Sequence, residues 1–276
     1  MPLLSGGFFF MTIAKLLQSA QKAGFRTEME VYLAWLLEKS RLDFVRNGEF
    51  EVPIEKMAEI QKAWLKILDG CPVAYLTGEK EFYGIPLFVN ENVLVPRPET
   101  ELLVDHVKEI ASEGARVLEI GTGSGAISIA LKKTCPDFQI LATDVSSEAL
   151  KVARLNIDKY DLDIKLIESD LLSNVEGDFD VLVANLPYIG ELTNDFLAEN
   201  VRKYEPALAL FGGDDGLRLY EKMFQQARGR FKYILGEIGF SQGKQVEDLC
   251  FSVFPEAKFE LRQDYSGLDR HFILKF

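Results

Sequence analysis

Asn185-Leu186-Pro187-Tyr188 follows directly on Val181–Ala184, four apolar residues that read as a strand buried on both faces. Asn and Pro are ordinary turn formers, so the tetrapeptide alone suits the plain end of a strand as well as a site. An Asn carbonyl, a backbone carbonyl and an aromatic face would nevertheless suit a planar NH₂ group, held and stacked rather than protonated. A second candidate is "VLEIGTGSGAIS", which sets Gly121, Gly123 and Gly125 between a strand and a helix. Glycine there lets the backbone approach a ligand, and the helix N-terminus offers free amide groups. Gly121-x-Gly123-x-x-Ala126 also satisfies the loose dinucleotide fingerprint, so the loop leaves NAD and other adenosine cofactors open. Asp144, at the end of the next strand, is placed to take both ribose hydroxyls. Asp170, at the end of the third strand in "ESD", is placed to accept from an adenine amino group. Loop and acids together favour an adenosine ligand.

The elements that must position these residues are legible from residue 96 onward. "RVLEIG", "QILATDV", "DIKLIES", "FDVLVAN" and "FKYILGEIG" read as strands, and "SGAISIALKKT", "SEALKVARLNID" and "GLRLYEKMFQQAR" as helices. Such alternation implies an α/β fold, a mostly parallel sheet with helices on both faces. Its ligand lies over the carboxyl ends of the strands at the switch point, which sets Asn185 beside the reactive end of a cofactor. The end, "AKFELRQDYSGLDRHFILKF", has no helix between its two strands and reads as an antiparallel hairpin at the sheet edge. Residues 1–72 read as a small helical bundle. Thr27 with Glu30 gives a capping-box pattern, and Pro53 stands at a plausible first helical position. Ile54, Met57, Ala58, Gln61, Trp64, Leu65 and Leu68 form an inward stripe that stops at Gly70. Residues 73–95, with Gly78 and Gly84 as punctuation, suggest a β-hairpin linker to a domain over 96–276.

Composition narrows the function. At 276 residues, 47% hydrophobic and 27% charged, the chain is an ordinary globular protein with no apolar run of membrane-spanning length. The opening "MPLLSGGFFFMTIAK" lacks a basic leader and is broken by Gly6-Gly7, so it does not read as a signal peptide, and a cytoplasmic protein is expected. Cys71, Cys135 and Cys250 are scattered and outside any CxxC, against a disulfide framework or zinc site. His106 and His271 suggest neither a triad nor a metal pair, so the chemistry is expected to avoid histidine and metals. Of the net charge of −12, most lies behind residue 95, where 21 basic residues face 31 acidic ones. That excess argues against nucleic acid and suits a basic protein partner.

The sequence resembles the class I S-adenosylmethionine methyltransferases, and most closely the release factor glutamine methyltransferases of the HemK/PrmC family. The resemblance rests on "PVAYLTGEKEFYGIPLFVNENVLVPRPETELLV", "VLEIGTGSGAISIAL", "ATDVSSEAL", "SDLL", "YEPALALFGGDDGLRLY" and "EIGFSQ". It implies a Rossmann-like domain with a seven-stranded, mostly parallel sheet. The implied reaction carries a methyl from S-adenosylmethionine to the side-chain amide nitrogen of the glutamine in the Gly-Gly-Gln motif of class 1 peptide chain release factors, leaving S-adenosylhomocysteine. By resemblance, Gly121, Thr122, Gly123, Ser124 and Gly125 line the methionine portion, Asp144 the ribose, and Asp170 with Leu171 the adenine. Asn185 and the carbonyl of Leu186 accept from the substrate NH₂, beside Pro187, and Tyr188 packs on the amide plane. The helical front is implied to recognise the factor, and a monomer is expected. The family pattern is Asn-Pro-Pro-Tyr, so Leu186 lacks a ring that would fix φ and the turn is expected to be less preorganised. The rival readings are an adenine methyltransferase acting on DNA or RNA, disfavoured by charge; a dehydrogenase, which leaves the turn unexplained; and a weakened module that binds release factors without turnover.

Overall fold

The computed structural model describes residues 12–46, 50–192 and 197–276; Met1–Met11, most of the stretch read above against a signal peptide, lie outside them. Helices α1 (Ile13–Lys22), α2 (Arg26–Leu36), α3 (Arg41–Arg46), α4 (Met57–Leu68) and α5 (Val73–Thr77) come first. Then follow β1 (Glu79–Phe82), β2 (Ile85–Phe88), α6 (Glu101–Ile110), β3 (Arg116–Ile120), α7 (Ala126–Thr134), β4 (Gln139–Asp144), α8 (Ser147–Lys159), β5 (Ile164–Glu168) and β6 (Val181–Ala184). The chain ends with α9 (Glu199–Tyr204), α10 (Arg218–Ala227), β7 (Tyr233–Glu237), α11 (Gly243–Val253), β8 (Lys258–Gln263) and β9 (Asp269–Lys275). Two compact units result.

The first unit comprises the described part of Met1–Gly78 together with Ala198–Tyr204. Its core gathers Ile13, Leu17, Met29, Leu33, Trp64 and Ile67. Three sequence expectations need correction here. Helix α2 starts at Arg26, behind Phe25 and with no side-chain cap, so Thr27 and Glu30 form no capping box; the Glu30 carboxylate instead meets Arg26 and Arg41, each at 2.8 Å. Pro53 lies outside α4, capping a single 3₁₀ turn at Ile54–Lys56 that precedes it. The buried face of α4 is Ile60, Ala63, Trp64 and Ile67, whereas Ile54, Ala58, Leu65 and Leu68 face solvent. Both sets keep helical spacing, and only tertiary packing selects between them. Gly70, at φ +87°, ends the helix, and its missing Cβ leaves room for Asn200 of α9, which would stand 2.8 Å from it. The Asp69 carboxylate accepts from Lys203 at 2.5 Å and from the Tyr204 hydroxyl.

The second unit comprises Glu79–Leu197 and Glu205–Phe276. Its first element is the hairpin β1–β2, closed at Tyr83-Gly84, both with positive φ as a two-residue hairpin turn demands. The linker read over 73–95 is a hairpin only from Glu79; its first arm is the helix α5, ended by Gly78 in the left-handed conformation. Asn156 of α8 fastens the hairpin: its Oδ1 accepts from Phe88 N at 2.7 Å, and its Nδ2 donates to the carbonyls of Phe88 and Ser124. The main sheet has seven strands in the order β5-β4-β3-β6-β7-β9-β8. Strands β3 to β7 pair in parallel, and β9 and β8 close the sheet antiparallel, with β8 at the edge. All four residues of β6 are buried, as a central parallel strand requires. Buried apolar residues cover both faces, around Leu182 and Tyr220 on one and around Val117 and Val183 on the other. Helix α11 has no counterpart among the expected elements; it begins at Gly243 without a side-chain cap. No helix of the described residues is long and apolar enough to cross a membrane.

Candidate active site

Strand β3 lies between β4 and β6, so the carboxyl ends of β3 and β6 flank the switch point. Ile120 is in register with Thr143 on one side and Ala184 on the other, which brings Gly121, Asp144 and Asn185 to one level. A cleft of about 320 Å³ opens there, the lower range for a small-molecule site. Of the residues expected from sequence, Gly121, Thr122, Gly123, Ser124, Asp144, Asp170, Leu171, Asn185, Leu186 and Pro187 line it. Gly125 and Tyr188 do not line it: Gly125 caps α7 at φ +84°, and the Tyr188 hydroxyl turns to Glu237. Pro96, Arg97 and Thr100, which were not among the expected site residues, line it too, as do Phe82 and Leu208.

The glycine loop is set by its backbone. Amides of Gly121 and Thr122 both donate to the Thr143 carbonyl at 2.9 Å, while Gly121 and Gly123 adopt φ of +73° and +56°. Nothing stands where a Cβ of Gly123 would be, so the backbone there is open to the cleft. Asp144 accepts from the amides of Gly123 and Ser146, each at 2.9 Å, yet burial outweighs these bonds and holds its carboxyl above the usual aspartate range. Glu119, beneath the loop, accepts from Thr122 Oγ1 at 2.8 Å, from Ser128 N at 3.1 Å and from the Ser128 hydroxyl. Burial pushes its pKa up to about 7 against those donors. The Asp170 carboxylate is exposed and paired with Lys222 at 2.5 Å. Leu171 is buried at φ +52°, a conformation unusual for leucine, with its carbonyl accepting from Ser169 Oγ at 2.8 Å.

The turn after β6 is held from three sides. Asn185 Nδ2 donates to Thr100 Oγ1 at 3.0 Å, Thr100 Oγ1 donates to Glu237 Oε2 at 2.7 Å, and the Tyr188 hydroxyl donates to Glu237 Oε1 at 3.1 Å. Burial, reinforced by Glu237, pushes the Tyr188 phenol up, so it stays protonated. Leu186 is only 3% exposed and belongs to the same buried cluster as Ile120, Leu171 and Leu217. The ring that a proline would supply is thus replaced by an anchored side chain. Gly212 and Gly216 lie against the carbonyls of Pro187 and Tyr188, where a Cβ would come within 2.2 and 2.1 Å. Gln242 Nε2 donates to Tyr188 O at 2.9 Å and to Asp215 O at 3.1 Å, tying the two loops together. Buried Glu205 accepts from Val95 N at 3.1 Å and from Arg97 at 2.5 Å. Thr100, Glu205, Gln242 and Glu237 were absent from the expected site, although the motifs "PRPET", "YEPALAL" and "EIGFSQ" contain them. The histidines, distant in sequence, are neighbours: their rings are 5.4 Å apart edge-to-face, and His271 Nε2 lies 3.7 Å from Glu237 Oε2. Among the described residues no cluster of His, Cys, Asp and Glu could hold a metal ion.

Comparison with known proteins adds an independent line. The sequence pattern of the PrmC N-terminal domain matches residues 11–78, and that of the Methyltransferase small domain matches residues 98–206. A release factor glutamine methyltransferase of Enterococcus faecalis is 36% identical over 225 residues, 80% of this chain and 81% of the relative. The protein of the same name from Staphylococcus aureus is 32% identical over 257 residues, 91% of this chain and 92% of its own. Among solved structures, a methyltransferase from Pyrococcus furiosus gives a TM-score of 0.55 at 20% identity, covering 78% of this chain and 98% of that one. The hMettl16 catalytic domain, solved with an RNA hairpin, gives 0.60 at 16% identity, covering 89% and 91%. At such identities these structures speak for the fold alone.

Proposed function

The chain belongs to the release factor glutamine methyltransferases, and from that premise we propose that it transfers a methyl group from S-adenosylmethionine to the side-chain amide nitrogen of the glutamine in the Gly-Gly-Gln motif of a class 1 release factor. The observation that carries this reading is the convergence of the glycine loop, Asp144 and the Asn185 turn on one cleft. The residues fit the cofactor. Gly121, Thr122, Gly123 and Ser124 offer an open backbone for the methionine portion. Each oxygen of Asp144 already takes one amide and keeps a lone pair for a ribose hydroxyl. The exposed Asp170 carboxylate and the Leu171 backbone flank the adenine position.

When bound, S-adenosylmethionine supplies an electrophilic methyl on a sulfonium. The protein's task is to present the amide nitrogen in line with it. Asn185 Oδ1 and the Leu186 carbonyl accept from the two N–H bonds, which fixes the amide plane and steers electron density onto nitrogen. Tyr188, behind the cleft lining, holds the turn in place through its bond to Glu237. No base is needed before the methyl moves; the proton leaves afterwards to water. The helical first unit serves to recognise the factor, and the acidic charge of the chain suits a basic protein surface better than a nucleic acid. The test is transfer of radiolabelled methyl into a release factor, with a Gln→Ala factor and an RNA as controls. Label in the factor but not in its Gln→Ala variant supports the reading; label in RNA alone, or in both factors equally, refutes it.

A further inference from the structure

We infer that Thr100 and Glu237 are positioning residues that decide which end of the Asn185 amide faces the substrate; the inference rests on the methyl-transfer reading above. An Asn side chain has nearly the same shape either way round, but opposite polarity. With Oδ1 turned to the cleft it accepts from a substrate NH₂; with Nδ2 there it would oppose it, donor against donor. Something of fixed polarity must settle the choice. A carboxylate is such a group, because it accepts and has no proton to give. Thr100 has a single hydroxyl proton and commits it to Glu237 Oε2 at 2.7 Å. Its oxygen can then only accept, and what it accepts is Asn185 Nδ2 at 3.0 Å. Oδ1 is thereby left for the cleft.

Burial makes the chain of bonds decisive. Thr100 is 5% exposed and Glu237 1%, so little water is at hand to offer an alternative proton. The other carboxylate oxygen takes the Tyr188 hydroxyl at 3.1 Å, so one acid sets both the polar and the aromatic side of the turn. The fold explains why these residues meet. Ala184 is in register with Gly236 in the parallel pair β6–β7, which puts Asn185 and Glu237 side by side at the strand ends, and Thr100 stands at the start of α6 above them. Two sequence motifs, "PRPET" and "EIGFSQ", are joined by this contact.

The test uses the full-length protein with Thr100→Val, Thr100→Ser and Glu237→Gln. Three quantities are measured: the single-turnover rate at saturating cofactor and factor, the affinity for S-adenosylhomocysteine, and the ratio of affinities for a release factor with Gln or Ala in its Gly-Gly-Gln motif. Thr100→Val should slow transfer at least about ten-fold and shrink the Gln-to-Ala ratio, with cofactor affinity unchanged. Thr100→Ser should restore both. Glu237→Gln, which can donate as well as accept, should behave like Thr100→Val; should it not fold, the two Thr100 variants decide. A Thr100→Val protein with wild-type rate and discrimination overturns the inference. So does one that loses rate, cofactor affinity and thermal stability together without rescue by serine, since that is a merely structural role. A wild type that methylates no glutamine overturns the reading of the reaction itself, and the inference with it.

Discussion

At residue 186 a leucine does by burial what a proline would do by ring closure. Pre-setting one φ stabilises by about 0.4 to 1 kcal/mol, whereas deleting a buried leucine side chain costs about 2 to 5 kcal/mol, and a proline ring would recover only part of that. The backbone N–H of Leu186 also approaches the Tyr220 phenol, and a proline has none. Leu186→Pro should therefore lower stability by about 1 to 2 kcal/mol in urea unfolding; a variant more stable than the parent would refute the anchoring role. Glu119 supports a pH prediction. Its folded pKa is raised from 4.5 to about 7 by burial. The folded state thus holds the proton more tightly than the unfolded one. Its stabilising contribution is fully present below about pH 4.5 and lost as pH rises through about 7, up to roughly 3 kcal/mol in all. Glu119→Gln cannot titrate, so its stability should lack that part of the slope. Parallel curves for the two proteins between pH 4.5 and 7.5 would show that Glu119 is not the group responsible.

Among elements, the loop between α9 and α10 is the tightest partner of the Asn185 turn. Gly216 has φ +83°, and a Cβ there would fall 2.1 Å from the Tyr188 carbonyl. Gly216→Ala must displace one loop or the other, so it should cost at least about 2 kcal/mol of stability and slow methyl transfer, while S-adenosylhomocysteine binds as before. Equal turnover by the variant would mean that this packing does not set the turn. The strands of the sheet and helices α7, α8 and α10 were legible in the sequence because hydrophobic runs and periodicity are local signals, and Gly121, Asp144 and Asn185 were legible because each stands at a strand end. What was not legible is non-local. Thr100 and Glu237 are 137 residues apart and reveal their contact only once β6 and β7 are in register. The buried face of α4 could not be chosen because two apolar faces share the same spacing. Helix α5 was hidden because aromatic residues beside glycine imitate a strand.

For the whole molecule, all residues lining the cleft lie in the second unit. Removing residues 1–78 should accordingly leave S-adenosylhomocysteine affinity within about two-fold, or roughly 0.4 kcal/mol, while sharply reducing methylation of an intact release factor. Undiminished methylation of the factor by the truncated protein would remove the recognition role of the helical unit. The truncation also strips α9 of Asp69, which meets Lys203 and Tyr204, and of the space at Gly70 that Asn200 uses. That shared helix has a consequence for the order of synthesis. Most of the helical unit precedes the second unit along the chain, yet it is complete only once Tyr204 has been made, after strands β1 to β6. The nascent chain cannot finish its first body before starting its second. A free fragment of residues 1–78, which lacks α9, should therefore be more easily cut by protease than the same segment in the finished protein.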